Sequence, residues 1–197
     1  PGFFEELLNL FRLAQPKYPP DSLNEPAQIT QSKVLALVYD PIMDSSTGVT
    51  LLQQQKWYRV PDLLTGFIAD MVQMSGGMAR YQIVQRVDIN EFPAKTDGFR
   101  YNPQTYMDVL RNTAKPHMPQ EVNYYAILSQ YNILQRVALN QIDEVWIFGF
   151  PHAGFYESIM AGPGAFWCNA PQLESTSASK RRFVIMGFSY ERGVGEM

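Results

Sequence analysis

Two segments, each with a continuous apolar stretch, constrain the fold of this chain more than any other feature. They occupy residues 33–39 (Lys-Val-Leu-Ala-Leu-Val-Tyr) and 143–149 (Asp-Glu-Val-Trp-Ile-Phe-Gly). A strand without polar alternation is buried on both faces, which is typical of a parallel sheet covered by helices. Residues 81–87 and 182–187 are predicted as two further strands, and the alternation within 81–87 predicts a position nearer a sheet edge.

Helical periodicity occupies the segments between these strands. It predicts one helix from Pro61 to the glycine pair at Gly76, a second over about 103–112, and a longer third over about 122–140. The predicted order is β-α-β-α-α-β-loop-β. Strands joined by helical crossovers predict an α/β fold of the Rossmann-like or flavodoxin-like kind, with a mostly parallel sheet of about four or more strands flanked by helices.

The chain divides into two parts on composition. Residues 1–32 contain an amphipathic pattern over 3–14 and then four prolines, which predict a helix followed by an extended linker. Residues 33–197 form the α/β domain. Residues 193–197 have the pattern of a turn or helix cut short, so the domain is expected to be truncated at its C-terminus. A partner chain or a missing segment is expected at the first helix and at this end.

Overall composition narrows the class of protein. Hydrophobic residues make up 46% and charged residues 18% of the chain, which is an ordinary globular balance. The net charge of −3 and the scattered basic residues argue against a nucleic-acid partner. The single cysteine, Cys168, excludes an internal disulfide, and no apolar run is long enough for a transmembrane segment. A soluble protein is therefore expected.

Polar residues follow each predicted strand, where open parallel sheets bind their ligands. Asp88 follows the second strand, His152 and Glu157 follow the third, and Glu191 follows the fourth. Carboxylates with one imidazole suit general acid–base catalysis or a divalent metal ion, so these four residues are the candidate catalytic set. The alternative is structural, because such carboxylates often cap the next helix and His152 could serve only as a hydrogen-bonding group.

Four further residues are candidates for substrate binding. They are Tyr156, Arg192, Trp167 and Asn169. Aromatic side chains in the long loop after the third predicted strand could stack on a sugar ring, or they could anchor that loop to the core. Both interpretations remain open on the sequence alone.

Several common motifs are absent. The sequence has no His-Glu-x-x-His and no Cys-x-x-Cys, so a metal, if bound, has no recognisable signature and its identity is unknown. It also lacks Gly-x-Gly-x-x-Gly and Walker motifs, so no nucleotide cofactor is expected. Ser158, Ser189 and Cys168 are candidate nucleophiles, but the Gly-x-Ser-x-Gly elbow is missing.

Two long blocks carry a family resemblance, together with Asp-Gly-Phe-Arg-Tyr at residues 97–101. The first block is residues 143–169, which include Gly-Phe-Tyr-Glu-Ser-Ile-Met-Ala-Gly-Pro-Gly-Ala-Phe-Trp-Cys-Asn. The second block is residues 182–197, Arg-Phe-Val-Ile-Met-Gly-Phe-Ser-Tyr-Glu-Arg-Gly-Val-Gly-Glu-Met. They resemble a family of uncharacterised, exported bacterial and fungal proteins, and the resemblance covers most of residues 33–197.

This resemblance implies an extracellular location and brings no established activity. It also implies that family members continue past Gly-Glu-Met with a helix carrying Gly-His, so this chain would stop before a potential ligand or base. The strand arrangement is similar to flavodoxin-like and glutamine-amidotransferase-like folds, although the cysteine nucleophile of the latter is not recognisable here. That similarity is an analogy of fold only.

Two hypotheses of function follow. The first is a hydrolase, metal-assisted or based on carboxylate and histidine acid–base chemistry, acting on a polar substrate such as a glycan or peptide. The second is a non-catalytic domain that binds carbohydrate or protein within a larger exported protein or assembly. The first requires the candidate catalytic side chains to meet in one cleft.

Overall fold

The computed structural model describes residues 28–196. Its strands, numbered along the chain, are β1 Thr30–Tyr39, β2 Ile42–Asp44, β3 Val49–Thr50, β4 Ala79–Ile89, β5 Glu144–Gly149, β6 Ser158–Ala161 and β7 Phe183–Ser189. Its helices are α1 Leu51–Gln55, α2 Val60–Met74, α3 Pro103–Leu110, α4 Tyr124–Gln130 and α5 Ile133–Ala138, with 3₁₀ turns at Ser177–Ser179 and Val194–Glu196. The predicted helix at 3–14 and most of the proline-rich linker lie outside the described residues.

One five-stranded sheet organises the fold, with the order β4-β1-β5-β7-β6. The first four strands in that order are parallel, and β6 runs antiparallel to β7. The mixed α/β class with a mostly parallel sheet is therefore confirmed. β4 is an edge strand, as its alternating pattern predicted, whereas β1 and β5 lie inside the sheet.

The core lies on both faces of the central strands. In β1, Val34 to Leu37 are fully buried, and in β5 Trp146 is fully buried. Phe67 from α2 meets Trp146 edge-on at 5.1 Å between ring centroids and Phe188 of β7 at 4.9 Å. Helix α2 therefore covers one face of the sheet through aromatic contacts. Within residues 28–196, no helix is both long enough and apolar enough to cross a membrane.

Two local predictions were wrong. The single long helix predicted over about 122–140 is split into α4 and α5, because Asn132 adopts a left-handed conformation with φ of 50°. Asparagine adopts that conformation more readily than most residues, so the helix breaks locally at little cost in conformational free energy. The short antiparallel strand β6 also lies in the segment predicted to be a loop.

Tyr190 lies at the position where the order of strand addition switches from one side of β1 to the other. The chain passes from β1 to β4 on one side and then to β5 on the other, so the crevice expected to bind ligands lies between the ends of β1 and β5. The fully buried Tyr190 hydroxyl lies 2.9 Å from the carbonyl oxygen of Tyr39 and 3.1 Å from that of Phe148. The chain's own side chain therefore fills this crevice, and the nearest open space lies beside it.

Candidate functional site

A cavity of about 280 Å³ opens at the carboxyl ends of β5 and β7, and we call it the cleft. Its walls include Gln120, Phe150, Pro151, His152, Gly154, Phe155, Glu157, Gly187, Phe188, Ser189, Glu191 and Arg192. Three of the four candidate catalytic residues, His152, Glu157 and Glu191, therefore line one cavity. Arg192, a candidate for substrate binding, lines it as well.

The antiparallel direction of β6 brings Glu157 to the cleft. Ser158, the first residue of β6, pairs with Met186 in the middle of β7, and the Gly187 N–H donates to the carbonyl oxygen of Glu157 at 3.0 Å, so the chain before β6 follows β7 toward its carboxyl end. The close approach requires glycine at position 187, because a Cβ atom there would lie 2.3 Å from the carbonyl oxygen of Tyr156. A glycine in β7 thus permits the turn that presents Glu157.

Glu157 is held by two of the candidate substrate-binding residues. Its Oε1 atom accepts a hydrogen bond from Nη1 of Arg192 at 2.8 Å, and its Oε2 atom accepts one from Nδ2 of Asn169 at 3.4 Å. The hydrogen bond with Glu157 raises the pKa of Arg192 further above its ordinary value. Both charged side chains remain about half exposed or more, so the pair orients Glu157 more than it stabilises the fold.

The loop that carries His152 is fixed by a buried lysine. Lys95 is 1% exposed, and its Nζ atom donates to the carbonyl oxygens of Gln120 at 2.7 Å, His152 at 2.6 Å and Ala153 at 2.8 Å. His152 itself is exposed and has φ of 62°, a left-handed conformation that is uncommon for a residue other than glycine. The ammonium group satisfies the carbonyls that this turn directs inward.

Burial has a further effect on Lys95. Desolvation lowers the pKa of its amine to about 8, and the nearby carboxylate of Asp97 opposes this shift only in part. The loop also depends on packing at Gly154, where φ is 93° and a Cβ atom would lie 2.0 Å from the carbonyl oxygen of Gln120. Position 154 therefore favours glycine on both grounds.

Ser189, the last residue of β7, has a hydroxyl group with no partner. Its Oγ atom is buried and makes no hydrogen bond to any residue in the described part of the chain. The residue lines both the cleft and a second cavity of about 290 Å³, whose walls also include Phe67 and Met186. Leaving a buried hydroxyl unpaired costs about 1–3 kcal/mol, and a bound ligand could supply the missing partner.

A third cavity, of about 350 Å³, adjoins the cleft on its other side. The two share Gln120, Gly154 and Phe155 as walls. Tyr156 lies here, and its hydroxyl donates to Oε1 of Glu121 at 2.9 Å, a hydrogen bond that raises the pKa of Tyr156. The cleft and its two neighbouring cavities follow one another, and we call them together the groove.

Asp88 does not join the other candidate catalytic residues. It pairs with Nη2 of Arg86 at 2.6 Å and lines a separate cavity that also includes Asp40 and Arg59. Its strand, β4, lies three strands from β7, which corresponds to roughly 14 Å across a sheet. Asp88 therefore lies apart from Glu191, which lines the cleft.

Trp167 is not among the walls of the cleft, but it lies two residues before Asn169 in the chain. Its residue is 65% exposed, whereas Asn169, two positions later, contacts Glu157. The neighbouring Phe166 is 45% exposed, and the Cζ atom of Arg182 lies over its ring, 5.6 Å from the ring centroid. Trp167 therefore presents an open aromatic surface on the loop whose Asn169 contacts Glu157 of the cleft.

The described residues offer few ligands for a metal ion. Within residues 28–196, no group of three or more His, Cys, Asp or Glu side chains is arranged to hold one. In the cleft, the guanidinium group of Arg192 already occupies the side of Glu157 that a cation would approach. The donor set in the cleft suits hydrogen bonding and proton transfer better than metal coordination.

No protein-family model, curated protein or solved structure compared with this chain matches it. The family resemblance of the two sequence blocks stays a prediction.

Sequence reasoning missed three residues that shape the cleft. They are Lys95, Gln120 and Tyr190. The residues around Lys95 in the sequence do not distinguish it from a solvent-exposed lysine, because the carbonyl groups that it contacts belong to residues 25 to 58 positions away. Ser189 was considered as a nucleophile; the structure shows that its hydroxyl is buried in the cleft wall and has no hydrogen-bond partner within residues 28–196. For Tyr190, the one indication in the sequence was its position directly after the predicted fourth strand, where ligands are expected to bind.

Proposed function

We propose that this chain is a hydrolase that binds a polar substrate, such as a segment of a glycan or peptide, in the groove. The observation that carries the proposal is the meeting of His152, Glu157 and Glu191 in one cleft at the carboxyl ends of β5 and β7. Hydrolysis requires a proton for the leaving group and a base for the attacking water, and carboxylate and imidazole groups perform both tasks.

Different environments support different roles for the two carboxylates. Glu157 is already bonded by Arg192 and Asn169, which suits a group that orients substrate. Glu191 and the ring of His152 make no hydrogen bond or ion pair with any residue in 28–196, so both are available to contact water or substrate. In the proposed reaction one of them removes a proton from water, the water oxygen bonds to the substrate, and the other protonates the leaving group.

A second candidate function is binding without catalysis. It is favoured by the exposure of the site, because the Glu157 side chain is 64% exposed and water is not excluded around it. Active sites for hydrolysis often strengthen their electrostatic interactions by excluding bulk water. A binding module needs no such exclusion.

The experiment that separates these functions uses the full chain and panels of oligosaccharides and peptides in H₂¹⁸O. We expect product carrying one ¹⁸O atom, detected by mass spectrometry. Glu191→Gln and His152→Ala should each slow its release by about 100-fold or more, because general acid–base groups contribute about that much. Glu174→Gln, an exposed glutamate outside the cleft, is the matched control and should leave the rate unchanged.

Two outcomes would contradict the proposal. Binding of a panel member without any labelled product would favour the second candidate function. Product release that survives both substitutions in the cleft would place the reaction elsewhere in the chain.

A further inference from the structure

We infer that the ligand of the groove is a glycan, and that Trp167 is the platform on which one of its sugar rings stacks. This inference rests on the proposed function, because it names the substrate class of the same site. It concerns recognition and can be tested without turnover.

The first support is the position of the indole. The backbone around Trp167 is anchored, because the Ser158 hydroxyl lies 3.4 Å from the carbonyl oxygen and 3.2 Å from the Sγ atom of Cys168, and Ala170 is 1% exposed. The loop is thus tied to the start of β6, which borders the cleft. The indole nevertheless stays 65% exposed. An exposed aromatic side chain on an anchored loop does not gain the free energy that burial would provide.

The second support is the chemistry beside the indole. A pyranose ring has an apolar face of C–H groups, which packs on an aromatic surface, and a rim of hydroxyls, each both donor and acceptor. Two residues after Trp167, Asn169 donates to Glu157, which also accepts from Arg192. An aromatic face combined with planar polar groups therefore matches both parts of a sugar.

The third support is that the nearest strand edge is partly occupied. An extended peptide is commonly recognised when it adds to a free edge of a sheet through main-chain hydrogen bonds. The outer edge of β6 is already used in part, because Leu173 N–H donates to the carbonyl oxygen of Met160 at 2.8 Å and Ala161 forms a bridge with Leu173. The groove is thus less suited to a peptide than to a glycan.

Tryptophan fluorescence offers a direct test, because the three tryptophans differ in exposure. Trp146 is fully buried, Trp57 is partly buried, and Trp167 is exposed. We would titrate the full chain with soluble hexasaccharides of glucose, N-acetylglucosamine, mannose and xylose, and with hexapeptides. At least one hexasaccharide should change the emission and protect Trp167 from acrylamide quenching, and Trp167→Phe should abolish the protection.

Binding measured by calorimetry completes the test. Trp167→Ala should weaken the affinity for that hexasaccharide by about tenfold, which corresponds to about 1.4 kcal/mol. Trp167→Phe should retain part of the affinity, because a smaller ring still stacks. Phe166→Ala is the matched control on the same loop and should leave the affinity within about twofold, since the Phe166 ring already makes a cation–π contact with Arg182.

Failure of this inference can be told from failure of the proposed function. Hydrolysis or binding of a peptide, with no hexasaccharide bound, would overturn the inference and leave the hydrolase proposal standing. Hexasaccharide binding that Trp167→Ala does not weaken would also overturn it. Hexasaccharide binding through Trp167 without any hydrolysis would keep the inference and contradict the hydrolase proposal.

Discussion

The Nζ atom of Lys95 lies 2.6 Å from the carbonyl oxygen of His152, and this contact links a fully buried charge to a residue in the wall of the cleft. The same ammonium group binds the carbonyl oxygens of Gln120 and Ala153. One side chain therefore holds together two loops that come from distant parts of the sequence. The shape of the cleft depends on it.

Replacing Lys95 by methionine should destabilise the protein by about 2–3 kcal/mol at pH 7, because three inward carbonyl groups lose their donor. The measurement is the free energy of unfolding from urea denaturation. Lys115→Met is the matched control, since Lys115 is exposed, and it should change stability by less than about 0.5 kcal/mol. Equal stability of Lys95→Met and the unaltered protein would contradict the role assigned to this lysine.

The stability that depends on Lys95 should rise between pH 8 and pH 9.5. Burial lowers the folded-state pKa to about 8 from the ordinary 10.5, so in this window the unfolded chain binds a proton that the folded chain has released. Stability then increases with pH, by about 1.5 kcal/mol over the window. The difference in unfolding free energy between the unaltered protein and Lys95→Met isolates this effect, and a flat difference would contradict it.

The same comparison controls for the buried tyrosines. Burial raises the pKa of Tyr106 and Tyr190, so these groups lower stability as the unfolded chain begins to ionise near pH 10. Both proteins carry these residues, and their contribution cancels in the difference. Keeping the upper limit at pH 9.5 reduces it further.

The fold was predictable where one local signal decided the structure. The apolar runs predicted β1 and β5 as interior strands, and alternation predicted β4 at an edge. The break at Asn132 and the strand β6 were not predictable in the same way. A single left-handed residue interrupts an otherwise helical pattern, and β6 depends on pairing with β7, which follows it by more than 20 residues.

The site was predictable in part for a related reason. Residues that follow β5 and β7 do line the cleft, because these strands are neighbours in the sheet. Asp88 follows a strand too, but strand order along the chain does not give strand order in the sheet. Lys95 was missed because its role depends on three backbone carbonyl groups, and the sequence does not show where backbone groups will lie in the fold.

Tyr190→Phe should destabilise the protein by about 1–2 kcal/mol, because the carbonyl oxygens of Tyr39 and Phe148 lose their shared buried donor. The measurement is again urea denaturation. Tyr125→Phe is the control, because the Tyr125 hydroxyl donates an exposed hydrogen bond of 3.3 Å to the carbonyl oxygen of Glu174, and its loss should change stability little. Equal effects of the two substitutions would mean that Tyr190 does not lock the ends of β1 and β5.

Ser189 and Ser179 provide a matched pair with opposite expected effects. The buried hydroxyl of Ser189 has no partner among the described residues, so Ser189→Ala should raise the free energy of unfolding by about 1 kcal/mol. The hydroxyl of the fully buried Ser179 lies 2.7 Å from the carbonyl oxygen of Arg181 and 3.0 Å from that of Thr176, so Ser179→Ala should lower it by about 1–2 kcal/mol.

Ligand binding should then reverse the benefit of Ser189→Ala. If the Ser189 hydroxyl forms a hydrogen bond with a bound ligand, Ser189→Ala should weaken binding of the ligand identified in the panels by about fivefold, which corresponds to about 1 kcal/mol. Ser179→Ala should leave the affinity unchanged once the protein is folded. A Ser189→Ala protein that is both more stable and equally able to bind would mean that the hydroxyl does not contact the ligand, and the role of the cleft would then rest on His152, Glu157 and Glu191 alone.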